Sequence, residues 1–270
     1  MPITRAGDID IEYYTEGSGP PLLMIMGFAG SAHSWGEPFL EELGRHFTTI
    51  RLSNRGTGQS TKPTEQFTIR TMADDARNLL DVLGVQQPHV LGISMGGMIA
   101  QELVLAYPER VNGLVLGCTA TGGPDHVAAN PEVFALMAPT PGLSREDMVR
   151  KAWPALCSPA FIESDRPFLE EMLRSGFENP TPLETIVKQM VAIQGFDASG
   201  RVGEIKAPTL VIHGAVDVLV PTANGKALAE KVPGAELRII PGVAHMFFWE
   251  KPQDSAEIIT EFLSRVPANA

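Results

Sequence analysis

The chain has 270 residues, which is enough for one large domain or for a core domain that carries an insertion. With 44% hydrophobic and 20% charged residues, its composition is that of a folded protein and argues against extensive disorder. A formal net charge of -11 argues against nucleic acid or an anionic membrane as a partner, since both attract basic surfaces.

Two features bear on the compartment. Cys118 and Cys157 are the only cysteines and form no C-x-x-C motif, so we expect buried free thiols in a reducing environment. The N-terminal residues show no basic segment followed by an apolar stretch, and no apolar run approaches the ~18 residues of a membrane span. We therefore expect a cytoplasmic protein without a signal peptide or a membrane-spanning segment.

Predicted strands and helices alternate in the first half of the chain. Apolar runs and turn residues predict strands at 3–5, 9–15, 22–26, 47–52, 90–93 and 111–116. Helices are predicted between them, at 38–43, 69–83 and 95–107, the second of which is capped by Thr68 and closed by Gly84. This order predicts right-handed crossovers and a mainly parallel sheet, with the first two strands as an antiparallel hairpin at its edge.

The alternation stops between residues 119 and 203, where prolines recur and no buried strand is evident. Short helices with apolar faces are predicted there, at 132–137, 145–156, 166–177 and 183–194. Strands at 209–212 and 236–240 and helices at 222–231 and 254–266 then resume the pattern. We therefore predict an α/β core domain formed by residues 1–118 and 204–270, with a helical cap formed by residues 119–203 inserted in it.

The motif Gly92-x-Ser94-x-Gly96 lies where a strand buried on both faces turns directly into a helix that is buried nearly all round. Such a turn strains the backbone of the residue at its apex and exposes its side chain, and the flanking glycines remove Cβ atoms that would clash. The motif therefore indicates a nucleophilic serine. Taken alone, it is also compatible with an ordinary turn of a doubly wound sheet.

A serine nucleophile needs a base, and the base needs an orienting acid. Asp217 and His245 each follow a predicted strand, and the carboxyl ends of parallel strands meet at one edge of a sheet. The order Ser94, Asp217, His245 is also that of nucleophile-elbow enzymes. We predict that these residues form a catalytic triad. The other histidines are interpreted as core or surface groups, with a position of His33 or His213 near the rim of the site left open.

The glycine-rich loop at residues 53–60 suggests phosphate binding at first sight. No Gly-Lys-Ser/Thr follows it, however, and the third glycine of a dinucleotide fingerprint is missing. The sequence also contains no H-E-x-x-H motif or other cluster of metal ligands. We therefore expect neither a cofactor nor a metal.

Over its whole length the chain resembles the α/β-hydrolase superfamily, in the compact form with a helical cap. The matching motifs are Arg55-Gly56-x-Gly58-x-Ser60, Gly92-x-Ser94-Met95-Gly96-Gly97, the Asp217 turn that ends in Val220-Pro221, and Gly242-x-x-His245. The chain is most similar to the group of esterases and enol-lactone hydrolases, which also contains cofactor-free haloperoxidases. The resemblance implies a mostly parallel eight-stranded sheet flanked by helices, with the cap inserted.

The resemblance also implies an oxyanion hole formed by the backbone N–H groups of Phe28 and Met95. Two positions depart from the family pattern. Met26 stands where the family commonly has histidine before the glycine of the oxyanion loop, and Ser53 stands where it commonly has aspartate before the Arg-Gly-x-Gly loop. Neither residue belongs to the predicted triad, so the departures concern the subfamily and the loop geometry.

Together these features predict hydrolysis of a small, largely apolar carboxylic ester or lactone through an acyl-enzyme on Ser94. We expect a small-molecule ester or lactone as the partner, with neither nucleic acid nor a membrane, and the oligomeric state stays open. Substrate contacts are predicted for apolar residues of the core and the cap: Met26, Trp35, Phe134, Trp153 and Met246. Three alternatives stay open, namely carbon–carbon bond hydrolysis, perhydrolysis by the same triad, and a small-molecule receptor built on a hydrolase scaffold.

Overall fold

The computed structural model describes residues 2–138 and 140–267, so residues 1, 139 and 268–270 of the predicted domains lie outside the described residues. Eight strands form one sheet in the order β1-β2-β4-β3-β5-β6-β7-β8. The strands are β1 (Ile3–Ala6), β2 (Ile9–Gly17), β3 (Pro21–Ile25), β4 (Thr48–Leu52), β5 (His89–Ile93), β6 (Leu114–Gly117), β7 (Thr209–Gly214) and β8 (Glu236–Ile240). The β1–β2 and β2–β4 pairs are antiparallel, and every other pair is parallel. The predicted fold class and the edge hairpin are confirmed.

Helices cover both faces of the sheet. They are α1 (Glu37–Gly44), α2 (Ile69–Val82), α3 (Met95–Ala106), α4 (Pro131–Met137), α5 (Arg145–Leu156), α6 (Pro159–Ser164), α7 (Arg166–Glu178), α8 (Leu183–Gln194), α9 (Thr222–Lys231), α10 (Phe247–Glu250) and α11 (Pro252–Ser264). The sequence analysis did not predict α6 and α10, because six and four residues are too few to show a helical period. In the described ranges no helix is both long and apolar enough to cross a membrane.

The core lies in two layers, one on each face of the sheet. In β3, Leu23 and Ile25 pack into the layer that contains α2 and α3. Leu22 and Met24 pack into the opposite layer, which contains α1 and α11. Successive side chains of a strand point to opposite faces, so a strand that is covered on both sides must be apolar throughout. This explains the uninterrupted apolar runs of the central strands.

Helix α2 shows how closely local signals determine an element. The Thr68 side chain accepts a hydrogen bond from the Thr71 backbone N–H at 3.1 Å, and the Thr71 side chain accepts one from the Thr68 N–H. Gly84, just beyond the C-terminal end, has φ 69°, which favours glycine. The start and the end of this helix therefore agree with the prediction.

Helices α4–α8 lie between β6 and β7 in the chain, within the segment predicted as the cap. Met246 N–H, next to His245, donates to Leu156 O at the end of α5 at 2.9 Å. The segment therefore contacts the edge of the sheet at which the predicted site residues lie.

Candidate active site

Ser94 forms the turn between β5 and α3, with φ 56° and ψ -120°. This left-handed backbone conformation is unfavourable for a residue with a side chain, so the predicted strain is present. A Cβ atom on Gly92 would clash with the Gly96 carbonyl, and one on Gly96 would clash with the Ile25 carbonyl at the end of β3. The two glycines therefore allow the helix to begin directly against the sheet, with Ser94 at the apex of the turn.

The loop after β3 lies against this serine. A Cβ atom on Gly27 would be 3.0 Å from Ser94 Cβ and 3.6 Å from Ser94 Oγ, so a side chain at this position would be crowded against the serine. Ser94 is half-buried, and no hydrogen bond of its Oγ to a described residue is found. The hydroxyl is therefore not committed to a structural contact within the described part of the chain.

Asp217 and His245 follow β7 and β8, and both side chains are buried. His245 Nδ1 lies 2.8 Å from Asp217 Oδ2. The other oxygen, Oδ1, accepts hydrogen bonds of 2.9 Å from the Leu219 and Val220 N–H groups. Because these contacts fix the carboxylate, the imidazole is held with Nδ1–H toward Asp217, which leaves Nε2 as the nitrogen whose lone pair can accept a proton.

A second histidine, His213, also contacts this carboxylate. Its Nε2 lies 2.7 Å from Val220 O and 3.2 Å from Asp217 Oδ2. A carbonyl oxygen can only accept, so His213 Nε2 carries the proton and donates it toward both Val220 O and Asp217 Oδ2. His213 is wholly buried beside Asp217. It therefore does not lie at the rim of the site, a position that the sequence analysis had left open.

The Asp217–His245 pair has strongly shifted pKa values. Burial raises the pKa of Asp217, but the two neighbouring imidazoles outweigh burial and lower it well below 3.8. Burial lowers the pKa of His245, but the Asp217 carboxylate outweighs burial and raises it well above 6.5. The acid therefore stays ionised over the whole neutral range, while the imidazole changes its protonation state above pH 6.5.

Cys118, which the sequence analysis interpreted only as a buried thiol, lies beside the same imidazole. It is buried and free, as predicted, and follows β6 with φ 37°. Its Sγ, an Asp217 oxygen and a His245 nitrogen all lie within 4.8 Å of one another. Burial raises the pKa of the thiol, so it is protonated at neutral pH. Its position after a parallel strand, at the same sheet edge, is the signal that could have revealed it.

This trio is the one group of side chains suited to a metal ion that is found among residues 2–138 and 140–267. A metal would require a deprotonated thiol and an Nδ1 or Nε2 lone pair. The raised thiol pKa and the Nδ1–H hydrogen bond to Asp217 favour the protonated groups. The donor set therefore fits proton transfer better than metal binding.

The two predicted oxyanion donors belong to Met95, which follows Ser94, and to Phe28, which follows Gly27. Met95 N–H is the first of α3, where the helix dipole favours negative charge. Phe28 directly follows Gly27, the residue that approaches Ser94. Within the described ranges, no hydrogen-bond acceptor is found for either N–H group. Two unpaired backbone donors at this place are suited to a negatively charged oxygen.

A model of the family described as "alpha/beta hydrolase fold" matches residues 20–252. The chain belongs to this family. It is 31% identical over 268 residues to "Putative carbamate hydrolase RutD" of Azorhizobium caulinodans, covering 98% of this chain and 99% of that protein. It is 26% identical to "2-hydroxy-6-oxo-6-phenylhexa-2,4-dienoate hydrolase" of Comamonas testosteroni, covering 95% of this chain and 92% of that protein.

Among solved structures, the chain is similar to an "N-Acyl homoserine lactone degrading enzyme", with a TM-score of 0.80 and 27% identity. The alignment covers 97% of this chain and 100% of that chain. The protein is therefore a hydrolase with the α/β-hydrolase fold.

In this α/β-hydrolase, Ser53, which stands where the family pattern commonly has aspartate, is bound to a buried carboxylate of the neighbouring strand β2. Glu12 is fully buried, and its Oε2 accepts hydrogen bonds from Ser53 Oγ at 2.6 Å and from Gln59 N–H at 3.0 Å. Ser53 Oγ in turn accepts from Ala32 N–H at 3.0 Å. A buried carboxylate therefore lies beside position 53, and sequence spacing alone does not reveal it.

Burial raises the pKa of Glu12, but the neighbouring His33 and the hydrogen bonds from Ser53 and Gln59 outweigh burial and lower it to about 2. Replacing Glu12 by glutamine should therefore destabilise the fold by about 2 kcal/mol at pH 7, because the hydrogen bonds from Ser53 and Gln59 then lose their charged acceptor. Above pH 4.5 the carboxylate contributes its full stability, which is lost as the pH falls toward 2. Urea unfolding at pH 7 and pH 3 should show a smaller difference between the two proteins at the lower pH.

The matched control is Asp10→Asn on the same strand, where the Asp10 side chain is 53% exposed. It should change stability by less than about 1 kcal/mol. A Glu12→Gln effect of the same size at both pH values would contradict the assignment of a buried carboxylate.

The structure brings four of the five predicted substrate residues into one apolar cluster. These residues are Met26, Trp35, Trp153 and Met246, all of them buried. Phe134 is the exception: it lies on α4 with 51% of its surface exposed and outside this cluster, so its position does not support the predicted substrate contact.

Trp35 packs in the interior of that cluster. Its ring centroid lies 6.1 Å from that of Phe39 and 5.4 Å from that of Phe248, and none of its surface is exposed. These contacts give Trp35 a packing role beneath α1 and α10. A residue in this interior position is better placed to shape the floor of a site than to touch its occupant.

Proposed function

We propose that the protein hydrolyses a carboxylic ester or lactone of a small, largely apolar substrate through an acyl-enzyme on Ser94. The observation that carries the proposal is the arrangement at one edge of the sheet. Three features follow strands that end at this edge: Ser94 on its strained turn, the hydrogen-bonded Asp217–His245 pair, and two N–H groups without an acceptor in the described residues. This combination supplies a nucleophile, a base with its orienting acid, and oxyanion donors.

In the proposed reaction, Ser94 Oγ attacks the carbonyl carbon while His245 Nε2 takes its proton. Asp217 keeps the proton on Nδ1 and stabilises the imidazolium that forms. The N–H groups of Phe28 and Met95 donate to the oxyanion, and each such donor contributes about 3 kcal/mol of barrier reduction in enzymes of this kind. The imidazolium then protonates the leaving oxygen, and water cleaves the acyl-enzyme by the same steps.

The first test is a substrate panel of p-nitrophenyl esters, an enol-lactone, a carbamate and a 1,5-diketone, compared by kcat/KM. The similarity to a lactone-degrading enzyme supports the ester or lactone assignment. Higher kcat/KM for esters or lactones than for the other compounds is the expected result. A preference for the carbamate or for the diketone would overturn it.

Carbon–carbon bond hydrolysis is the second candidate. The compound named in the Comamonas testosteroni relative contains neither an ester nor an amide, so its hydrolysis must break a carbon–carbon bond. The same triad and oxyanion donors can perform that reaction, which is why the diketone belongs in the panel. Peracid formation from acetate and hydrogen peroxide, measured separately, tests the perhydrolase alternative.

The pKa of His245 predicts the pH dependence. The imidazole must be neutral to accept the Ser94 proton, and Asp217 raises its pKa well above 6.5. We therefore expect kcat/KM to fall as the pH decreases through an apparent pKa above 6.5, with no further loss from Asp217 above about pH 5. Measurement between about pH 5 and 9 checks this, and a flat profile down to pH 5 would contradict it.

A further inference from the structure

The cap holds the proposed oxyanion loop at one residue, Ala29. Ala29 has φ 58°, a left-handed conformation that alanine rarely adopts. Its N–H donates to Gln189 Oε1 at 2.8 Å, and its carbonyl accepts from Thr181 Oγ1 at 2.9 Å. Gln189 belongs to α8, and Thr181 precedes that helix. Both polar groups of this strained residue are thus bound by the cap.

The hydrogen bond from Ala29 fixes the orientation of the Gln189 amide. A backbone N–H needs an acceptor, so the amide oxygen of Gln189 must face Ala29, and the amide nitrogen Nε2 must point away from it. The Gln189 side chain is fully buried, and among residues 2–138 and 140–267 its Nε2 has no hydrogen-bond partner. Buried polar groups in folded proteins are nearly always paired, so this donor requires an explanation.

The location of Gln189 suggests an explanation for this unpaired donor. Ala29 directly follows Phe28, a proposed oxyanion donor, and Gly27 lies against Ser94. The Gln189 side-chain amide therefore contacts the loop that supplies this donor. Helix α8 is also fixed at this place, because Lys188 Nζ donates to Pro63 O at 2.7 Å and to Thr64 O at 2.6 Å. The amide nitrogen is therefore a donor held in a fixed orientation beside the proposed oxyanion loop.

We propose that Gln189 determines specificity by donating a hydrogen bond from Nε2 to a second oxygen in the acyl group of the substrate, beyond the scissile carbonyl. The acceptor is an sp² oxygen, either of a ketone or of a carboxylate, since an amide N–H pairs with both. This inference rests on the proposed function, because it assumes an acyl group on Ser94. A plain alkyl chain would leave this buried donor unpaired, so the enzyme should prefer acyl groups that carry the second oxygen.

The test compares p-nitrophenyl butyrate with its 3-oxobutyrate and hydrogen succinate analogues, the last two separating ketone from carboxylate. Wild-type kcat/KM should be about tenfold higher for at least one oxygen-bearing ester, the ratio that one ordinary hydrogen bond supplies. Gln189→Glu keeps the acceptor for Ala29 and removes the donor. It should abolish this preference, mainly through KM.

Thr181→Val is the matched control, because it removes the other cap contact to Ala29 and leaves Nε2 in place. It should affect all three esters equally. Gln189→Met, an uncharged variant of similar size, replaces Gln189→Glu if a buried carboxylate prevents folding, and it should also lose the preference.

Three results would overturn the inference: no wild-type preference for either oxygen-bearing ester, retention of the preference in the Gln189 variants, or an equal loss on all three esters. In each case, continued hydrolysis of butyrate leaves the proposed function standing. A wild-type protein that hydrolyses none of the three esters overturns the proposed function, and this inference with it.

Discussion

Ser94→Ala should lower kcat for short p-nitrophenyl esters by about a millionfold, the effect of removing the nucleophile from a serine hydrolase triad. The hydroxyl makes no hydrogen bond to a described residue, so its removal should leave the turn and the fold intact. Purified variant and wild type are compared by initial rates at saturating ester and by thermal unfolding. A variant that folds normally and is inactive is the expected outcome.

The control for this experiment is Ser34→Ala in the loop after β3, where Ser34 Oγ accepts a hydrogen bond from Ser31 N–H at 3.1 Å. The Ser34 hydroxyl stabilises a turn, so its loss should change kcat by less than about tenfold. Retention of more than about 1% of wild-type kcat by Ser94→Ala would show that another group is the nucleophile.

Asp217→Asn should lower kcat by about ten-thousandfold. Leu219 and Val220 N–H groups require an acceptor, so the oxygen of the new amide must face them and its NH2 must face His245. The imidazole then carries its proton on Nε2 and cannot accept one from Ser94. The pKa of His245 should also fall, because the carboxylate that raises it is gone.

Both consequences of Asp217→Asn are measured in one kcat/KM profile against pH. The matched variant is His213→Gln, which keeps an N–H donor for Val220 O and leaves Asp217 charged. Its loss of kcat should be far smaller than that of Asp217→Asn. An Asp217→Asn enzyme within about tenfold of wild type would contradict the role of this acid.

Local patterns explain why so much of the fold could be predicted. The apolar runs of the central strands, the Thr68 cap and the glycines around Ser94 each act within a few residues, and the structure has the corresponding elements. The order Ser94, Asp217, His245 added a long-range inference because the carboxyl ends of parallel strands share one edge. In the structure Asp217 and His245 are hydrogen-bonded at that edge.

The contacts that escaped prediction join residues far apart in sequence. Glu12 reaches Ser53 only because β2 pairs with β4, and Gln189 reaches Ala29 across 160 positions. Strand pairing determines the first contact and the placement of α8 determines the second, and neither leaves a periodic pattern in the sequence. The exposed Phe134 illustrates the converse, since an apolar residue on a short helix does not reveal which face is covered.

The nucleophile is tested most directly by peptide mass spectrometry after reaction with an alkyl fluorophosphonate, which phosphonylates the activated serine of such enzymes. Cys118 lies close enough to His245 to be a rival site. We expect one adduct per chain, on the peptide that contains Ser94, with loss of esterase activity in proportion to labelling. Full labelling without loss of activity, or an adduct on Cys118 in place of Ser94, would contradict the proposed role of Ser94.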